Sequence, residues 1–447
     1  MKKTVFLLAV CMLLVLSACS TGGEDPVPAP GVTTLIYANL TKGGVDSAAV
    51  DRFNRAHENV QIEVRDYFDE DGINGRDRLL TEIAAGKMPD IIDLHVRGKL
   101  PYQQLAHRGY LEDLLPYIEN DPDIGREGLL EAPVEAAKVD GGLYAAFSDF
   151  YIETVAGRES VVGNRYSWSL EDLLACYAEM PEESTILYRY TIREEVFRTM
   201  LHMGLDRYVD WDTGECSFDN VGFRTALEFL SGFPDEYPPN YLDLTNDERS
   251  EQSWEWLSSG RQMLYDTFIC IPEQIQANDI LVGQGERMIY IGYPTGDGSA
   301  GSYFRFSGPV LGMSAYCKDK EAAWEFLREM LLPQYEDIDD MRQKGVNNIP
   351  INCSDFELLK KYCTRYKLNS EYFIGTSPTI RIQTLTEEEF SRFEDLIGHV
   401  DKTEFYDTNI YEIVYEVASA YFSGDKTLDE AIGLIQQRVN LYVNEMR

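Results

Sequence analysis

The sequence predicts an α/β protein built from two lobes, and three observations lead to this prediction. The chain has 447 residues, which is more than a single hydrophobic core usually accommodates. In its first part, segments with the two-residue period of a strand alternate with segments of helical period, which predicts βαβ units and a mostly parallel sheet. Residues 140–153 contain two glycines followed by an aromatic and apolar run, which is typical of a buried strand. We expect this strand to leave one lobe, cross to the other and line the cleft between them.

The first three predicted strands are apolar segments at residues 35–39, 60–64 and 90–94. Residues 76–85 predict a helix before the third strand, because apolar side chains recur there at helical spacing and Gly86 can end the helix. In parallel sheets, ligands bind beyond the carboxyl ends of the strands. Asn39, Asp93 and His95 lie at such ends and are therefore candidate binding residues.

The second part of the chain is predicted to be more helical. Capping boxes, in which a threonine is followed three residues later by a glutamate, begin helices at Thr386 and Thr427. Residues 261–268 return to the pattern of a strand. Residues 303–316 are predicted to be extended, with an interruption at Gly308-Pro309.

Residues 1–30 have the pattern of a processing signal rather than of folded structure. Two lysines precede an apolar segment at residues 5–16 that is too short for a membrane-spanning helix. Leu16-Ser-Ala-Cys19 resembles a bacterial lipobox, which implies cleavage before Cys19 and lipid attachment to its sulfur. We therefore predict a signal peptide over residues 1–18, a lipidated flexible tether over 19–30, and a protein anchored to the extracytoplasmic face of the cell membrane.

The charge of the chain excludes two classes of partner. The formal net charge is −36, whereas nucleic acids and anionic lipid surfaces require a basic face. A neutral or cationic ligand suits this charge. Aromatic residues make up 12% of the chain and include 28 tyrosines, whose amphipathic rings are common at wet binding surfaces.

Segments that resemble cofactor and metal sites lack the neighbouring residues or the spacing that such sites require. Gly296-Asp-Gly-Ser-Ala-Gly301 matches a dinucleotide fingerprint, but the residues after it cannot begin a helix, so the pyrophosphate would lack its binding dipole. The acidic segment at residues 69–74 lacks the spacing of an EF-hand, and the cysteines lack metal-ligand spacing. We predict no cofactor and no metal.

Several segments resemble the family 1 extracellular solute-binding proteins of bacterial ABC importers, carbohydrate type. They are Gly86-Lys-Met-Pro-Asp-Ile-Ile92, Gln104-Leu-Ala-His-Arg-Gly-Tyr-Leu-Glu-Asp-Leu114, Asp140-Gly-Gly-Leu-Tyr144, Trp211-Asp-Thr-Gly-Glu-Cys-Ser-Phe-Asp219, Gly292-Tyr-Pro-Thr-Gly-Asp-Gly298, Glu321-Ala-Ala-Trp-Glu-Phe326 and Ile349-Pro-Ile351. Each is weak alone, and their order and their coincidence with a lipobox make the resemblance specific.

The resemblance implies a two-lobed periplasmic-binding-protein-like fold, the Venus flytrap, with discontinuous lobes joined by a hinge. Lobe one would hold residues 31–148 and 267–316, and lobe two residues 149–266 and 317–447. It implies a monomeric, non-enzymatic protein that captures a sugar or oligosaccharide between its lobes and delivers it to the permease of an ABC importer.

Sugar recognition requires aromatic faces for C–H surfaces and polar side chains for hydroxyl groups. At strand ends and predicted crossovers, the candidate ligand-binding residues are Asn39, Asp93, His95, Tyr151, Tyr265, Asp266 and Tyr293. Each also has an ordinary structural explanation, such as a loop hydrogen bond or a place in a lobe core. Three functional alternatives stay open: a non-sugar ligand, a role in a sensor system, and an extracellular glycosidase acting through a pair of carboxylates.

Overall fold

The computed structural model describes residues 31–40, 42–68, 75–95, 100–201, 205, 208–211, 213–283, 285–295, 300–366, 371–372, 380–405 and 408–446. The predicted signal peptide and tether, including Cys19, lie outside the described residues. The acidic segment at residues 69–74 and most of the loop at residues 296–301 lie outside them as well.

The strands alternate with helices through the first part of the chain and become sparse in the last part. The strands are β1 (Thr33–Asn39), β2 (Val60–Asp66), β3 (Ile91–Asp93), β4 (Asp149–Arg158), β5 (Leu264–Ile269), β6 (Met288–Ile289), β7 (Tyr303–Ser307), β8 (Leu311–Met313), β9 (Ile349–Pro350), β10 (Glu371–Tyr372) and β11 (Ile380–Arg381).

The helices include both of those predicted from capping boxes at Thr386 and Thr427. The α-helices are Ser47–Ala56, Gly75–Ala84, Tyr102–His107, Leu115–Asn120, Glu131–Ala137, Glu159–Val162, Leu170–Ala178, Arg193–Leu201, Val221–Leu230, Pro239–Leu242, Asn246–Ser258, Glu273–Val282, Lys320–Arg328, Ile338–Lys344, Cys353–Arg365, Glu387–Gly398, Thr408–Phe422 and Leu428–Met446, with a 3₁₀ turn at Arg126–Gly128. Within the described part of the chain, none of them combines the length and apolar character needed to cross a bilayer.

The first sheet has the strand order β2-β1-β3-β8. β1 runs parallel to β2 and to β3, with helices Ser47–Ala56 and Gly75–Ala84 in the connections, so the predicted βαβ units are confirmed. β8 runs antiparallel to β3. The carboxyl ends of β1 and β3 therefore lie at the same edge of the sheet.

The second sheet is arranged around β4. Its neighbours β5, β6, β7 and β9 all run antiparallel to it. The strand predicted over residues 140–153 is displaced toward the C-terminus, because it begins only at Asp149. Asp140 and Gly141 both have positive φ, 51° and 83°, and close a tight turn in which Val139 pairs with Gly142. A turn of this geometry cannot continue as a strand.

The chain passes between the two sheets at the predicted interruption. β7 pairs with β4 in the second sheet, and β8, only a few residues later, pairs with β3 in the first. Gly308-Pro309 lies between them. The segment before β4 crosses beside it, since Ala146 pairs with Leu311 and Asp149 pairs with Ser307.

Two hydrophobic cores lie on opposite faces of the second sheet. Phe150 and Ile152 of β4 belong to the first core, whereas Val155 of the same strand belongs to the second. The buried residues between Ala322 and Phe405 pack in the first core; for example, the rings of Tyr37 and Phe326 are 6.2 Å apart. Helices Thr408–Phe422 and Leu428–Met446 cover the second core.

This packing differs from the lobe division predicted above, which placed all of residues 317–447 in lobe two. Alternating apolar residues show that a helix is amphipathic, but they do not say which of two cores its apolar face covers. Helix Lys320–Arg328 packs on β8, so it joins the core of the first sheet. The six cysteines beyond residue 150 are free thiols in the described structure.

Candidate functional site

A cleft of about 240 Å³ lies where the two sheets meet. Its walls come from the loop after β1, the end of β3, the start of β4 and the crossover from β7. The lining residues are Lys42, Gly43, Gly44, Asp93, His95, Tyr151, Arg305, Phe306, Ser307, Gly308 and Pro309. The cleft thus opens at the carboxyl edge of the first sheet, which is where α/β sheets bind ligands.

The cleft side of β4 carries an aromatic surface. Tyr151 lies opposite Arg305, and Glu153 lies opposite Phe268, so all four side chains share one face of the sheet. The rings of Tyr151 and Phe268 meet edge to face at 5.6 Å, and Phe268 is 45% exposed. Because exposed phenylalanine in a strand interior is unusual, this pair is a candidate surface for an apolar ligand face.

Arg305 is fixed at the floor of the cleft by two carboxylates. Its Nη1 donates to Glu153 at 2.7 Å and its Nε donates to Glu404 at 3.0 Å. Glu153 and Glu404 are 2% and 1% exposed, whereas Arg305 is one quarter exposed. The guanidinium carbon also lies 5.9 Å from the centre of the Tyr151 ring. These contacts hold Arg305 in one orientation beside the aromatic surface.

The charged groups continue beneath the cleft into the second core. The hydroxyl of Tyr293 donates to Asp266 at 2.7 Å and lies 3.4 Å from Glu153. Arg198 forms an ion pair with Asp266, and its Nη1 is 3.9 Å from Glu153. We call Arg305, Glu153, Glu404, Asp266, Arg198 and Tyr293 the crossover network. It links β4, β5 and β7 with the segment before helix Thr408–Phe422.

Burial shifts the titration of this network. Burial raises the pKa of Glu404 to about 7, although the backbone amide of Phe306 and the charge of Arg305 oppose the shift. Burial lowers the pKa of Arg305. The hydrogen bond to Glu153 and the charges of Glu404 and Glu153 raise it by more, so the net shift of this pKa is upward. Burial also raises the pKa of Tyr151. Arg305 is therefore charged at any physiological pH.

Three of the predicted binding residues line the cleft together: Asp93, His95 and Tyr151. Asp93 is almost fully buried, and its carboxylate accepts a hydrogen bond from the backbone amide of His95 at 2.9 Å. Asp93 therefore fixes the backbone at His95, directly after β3, which is the loop hydrogen bond that its structural explanation predicts. Tyr151 is half-buried and presents its ring to the cleft.

The other four predicted residues do not line the cleft as the structure describes it. Asn39 donates to the carboxylate of Asp66 at 2.7 Å. Tyr265 lies on the opposite face of the second sheet from Tyr151, where its ring is 4.5 Å from that of Trp254. Asp266 and Tyr293 belong to the crossover network beneath the floor.

Sequence reasoning missed Phe268, Arg305 and Glu404. Phe268 is offset from Tyr265 by an odd number of residues, and in a strand an odd offset places two side chains on opposite faces. Arg305 stands in an aromatic strand, and a lone charge in such a segment is a signal that could have been used. Glu404 has no local signal, because its partners are distant in sequence.

The described side chains of the site offer hydrogen-bonding and stacking groups. Among the described side chains, no cluster of three or more histidine, cysteine or acidic residues is arranged to hold a metal ion. The cleft instead combines an aromatic surface, a guanidinium, an imidazole and a hydroxyl. These groups can donate and accept hydrogen bonds around a polar ligand with one apolar face.

Comparison with known proteins identifies the fold. No family model matches the sequence, and no curated protein matches it. The sugar-binding protein MalE from Xanthomonas citri matches over 92% of this chain and 98% of its own, at 17% identity and a TM-score of 0.52. A periplasmic oligogalacturonide-binding protein from Yersinia enterocolitica matches over 93% of this chain and 100% of its own, at 14% identity and a TM-score of 0.53.

A de novo designed cysteine esterase matches similarly, over 94% of this chain and 100% of its own, at 14% identity and a TM-score of 0.54. At such identities the likeness concerns the fold alone. The chain has the two-lobed α/β fold of MalE-type periplasmic binding proteins, which confirms the predicted fold class.

Proposed function

We propose that this protein captures a carbohydrate in the cleft between its two cores and delivers it to the permease of an ABC importer. The observation that carries the proposal is the half-exposed Tyr151–Phe268 pair beside the fixed guanidinium of Arg305. A sugar ring has an apolar C–H face and a polar rim, and this arrangement offers a partner for each. The likeness in fold to a sugar-binding protein and to an oligogalacturonide-binding protein supports the same ligand class.

The position of the cleft supports capture by closure. β4 and β7 form its floor. The first and second cores lie on opposite faces of the sheet that contains these two strands. A ligand that contacts both walls stabilises the closed arrangement more than the open one and shifts the population toward closure. A permease that recognises the closed form then receives loaded protein selectively.

We propose binding without turnover. Glu153 and Glu404 form a buried carboxylate pair at the cleft floor, and both are hydrogen-bonded to Arg305 beneath the lining surface. A glycosidase requires its acid and its base to reach the two sides of a glycosidic bond. Carboxylates bound to one guanidinium are not free for those roles.

Thermal unfolding with a glycan panel tests the proposal. We expect one class of oligosaccharide to raise the melting temperature, because a ligand at a hundred times its Kd adds about 2.7 kcal/mol to the free energy of unfolding. Chromatography of the recovered glycan should show no product. If no glycan in the panel raises the melting temperature while a peptide or a polyamine clearly does, the carbohydrate assignment is overturned.

We also propose that the protein is a lipoprotein anchored through Cys19 on the extracytoplasmic face of the membrane. The Leu16-Ser-Ala-Cys19 lipobox supports this. Replacing Cys19 with serine is expected to move the protein from the membrane fraction to the soluble extracytoplasmic fraction without changing glycan affinity. Retention of Cys19→Ser protein in washed membranes would contradict the anchor.

A further inference from the structure

The cation at the floor of the cleft is already neutralised. An arginine that recognises a sugar acid must offer its charge, and preferably two parallel N–H groups, to the ligand carboxylate. In this protein Nε and Nη1 of Arg305 donate to Glu404 and Glu153. Nη2 makes no hydrogen bond to any of the described residues and remains available to donate to a hydroxyl oxygen.

The surrounding charges are unfavourable to a second anion. The crossover network holds two guanidinium groups, Arg305 and Arg198, against three carboxylates, Glu153, Glu404 and Asp266. It is therefore net negative when all of its groups are ionised. These charges lie in a largely water-excluded region, where salt screens them weakly. Lys42 is the other lysine or arginine among the described lining residues, and it is exposed, so its attraction for an anion is reduced by water and salt.

We propose that the cleft selects uncharged glycans and rejects sugar acids. Glu153 and Glu404 are the positioning residues that set this specificity, because they neutralise the charge of Arg305. The inference rests on the proposed carbohydrate function and specifies its ligand class. A protein of the same fold binds oligogalacturonide, so the fold itself does not exclude acidic ligands. The charges of this particular cleft exclude acidic ligands, because like charges that meet at a binding surface repel one another.

Matched pairs of neutral and uronic-acid oligosaccharides test the inference. Galactotriose with trigalacturonate, and glucose and mannose oligomers with their uronates, differ mainly in the oxidation of carbon 6. We would measure each Kd by calorimetry at about pH 8, since the pKa of Glu404 is about 7 and its carboxylate is ionised there. For whichever pair binds, we expect the uronate to bind at least about tenfold more weakly than its neutral partner.

A charge-neutralising variant provides the second measurement. Glu404→Gln removes one negative charge from the network, so the ratio of uronate to neutral affinity should rise about tenfold. Glu416→Gln is the matched control, because it removes the same charge from an exposed pair with Arg438 and should leave the ratio unchanged. If Glu404→Gln does not fold, the ratio of uronate to neutral affinity of the wild-type protein still tests the inference.

Two results would overturn the inference while leaving the carbohydrate function intact. One is a uronate that binds wild-type protein as tightly as its neutral partner. The other is a folded Glu404→Gln protein with an unchanged affinity ratio. If no glycan of either kind binds, the carbohydrate function itself fails, and the inference fails with it.

Discussion

Replacing Tyr151 with alanine is expected to weaken glycan binding by about 2 kcal/mol, or about thirtyfold in Kd, with little change in melting temperature. Tyr151 is half-buried at the start of β4, and its ring contributes both a stacking face and the edge contact to Phe268. Because one side of the ring faces the cleft, truncation removes ligand contact area without opening a cavity in either core. Calorimetric titration with the glycan identified by the panel, together with thermal unfolding, measures both quantities.

Tyr265→Ala is the matched control for this prediction. Tyr265 is on the neighbouring strand β5, but it faces away from the cleft and packs against Trp254. We expect its truncation to lower the melting temperature through lost packing while the Kd changes less than about threefold. If Tyr265→Ala loses binding and Tyr151→Ala keeps it, the cleft face of the second sheet has been assigned wrongly.

The sequence predicted the secondary-structure elements more reliably than it predicted which elements pair or pack with one another. The βαβ units of the first sheet follow from alternation of period within a short segment, and the interruption at Gly308-Pro309 follows from local backbone chemistry. The start of β4 was placed too early, because the apolar run from Leu143 to Phe147 reads as a strand although it fills the first core beyond a tight turn. Apolar composition reports burial, and it does not distinguish these two arrangements.

The candidate site was predictable where it depends on strand ends and unpredictable where it depends on register. Asp93 and His95 end a parallel strand, which was enough to place them at the cleft. Tyr265 and Phe268 are close in sequence, and only the pairing of β5 with β4 decides which of them shares the sheet face of Tyr151. Glu404 contacts Arg305 across nearly a hundred residues, and no local pattern specifies such a contact.

Replacing Arg305 with methionine is expected to destabilise the protein by about 3–5 kcal/mol near pH 8. Methionine fills similar space but leaves Glu153 and Glu404 buried without their common cation. The loss should shrink as the pH falls toward 5. Burial raises the pKa of Glu404 to about 7, above that of an unfolded glutamate, so its ionised form destabilises the fold and protonation on acidification relieves this penalty. Denaturant unfolding of wild-type and variant protein between about pH 5 and pH 8 measures this difference.

Arg438→Met is the matched control, because Arg438 pairs with Glu416 at the surface, and its loss should cost no more than about 0.5 kcal/mol at either pH. Combining Arg305→Met with Glu153→Gln and Glu404→Gln should recover part of the lost stability, since the three groups interact directly and their effects are not additive. A loss below about 1 kcal/mol in Arg305→Met, or a loss that is the same at pH 5 and pH 8, would show that the two buried carboxylates do not depend on Arg305. The cleft floor would then be held by the apolar packing of β4 and β7 alone, and Arg305 would be free to offer its charge to a ligand.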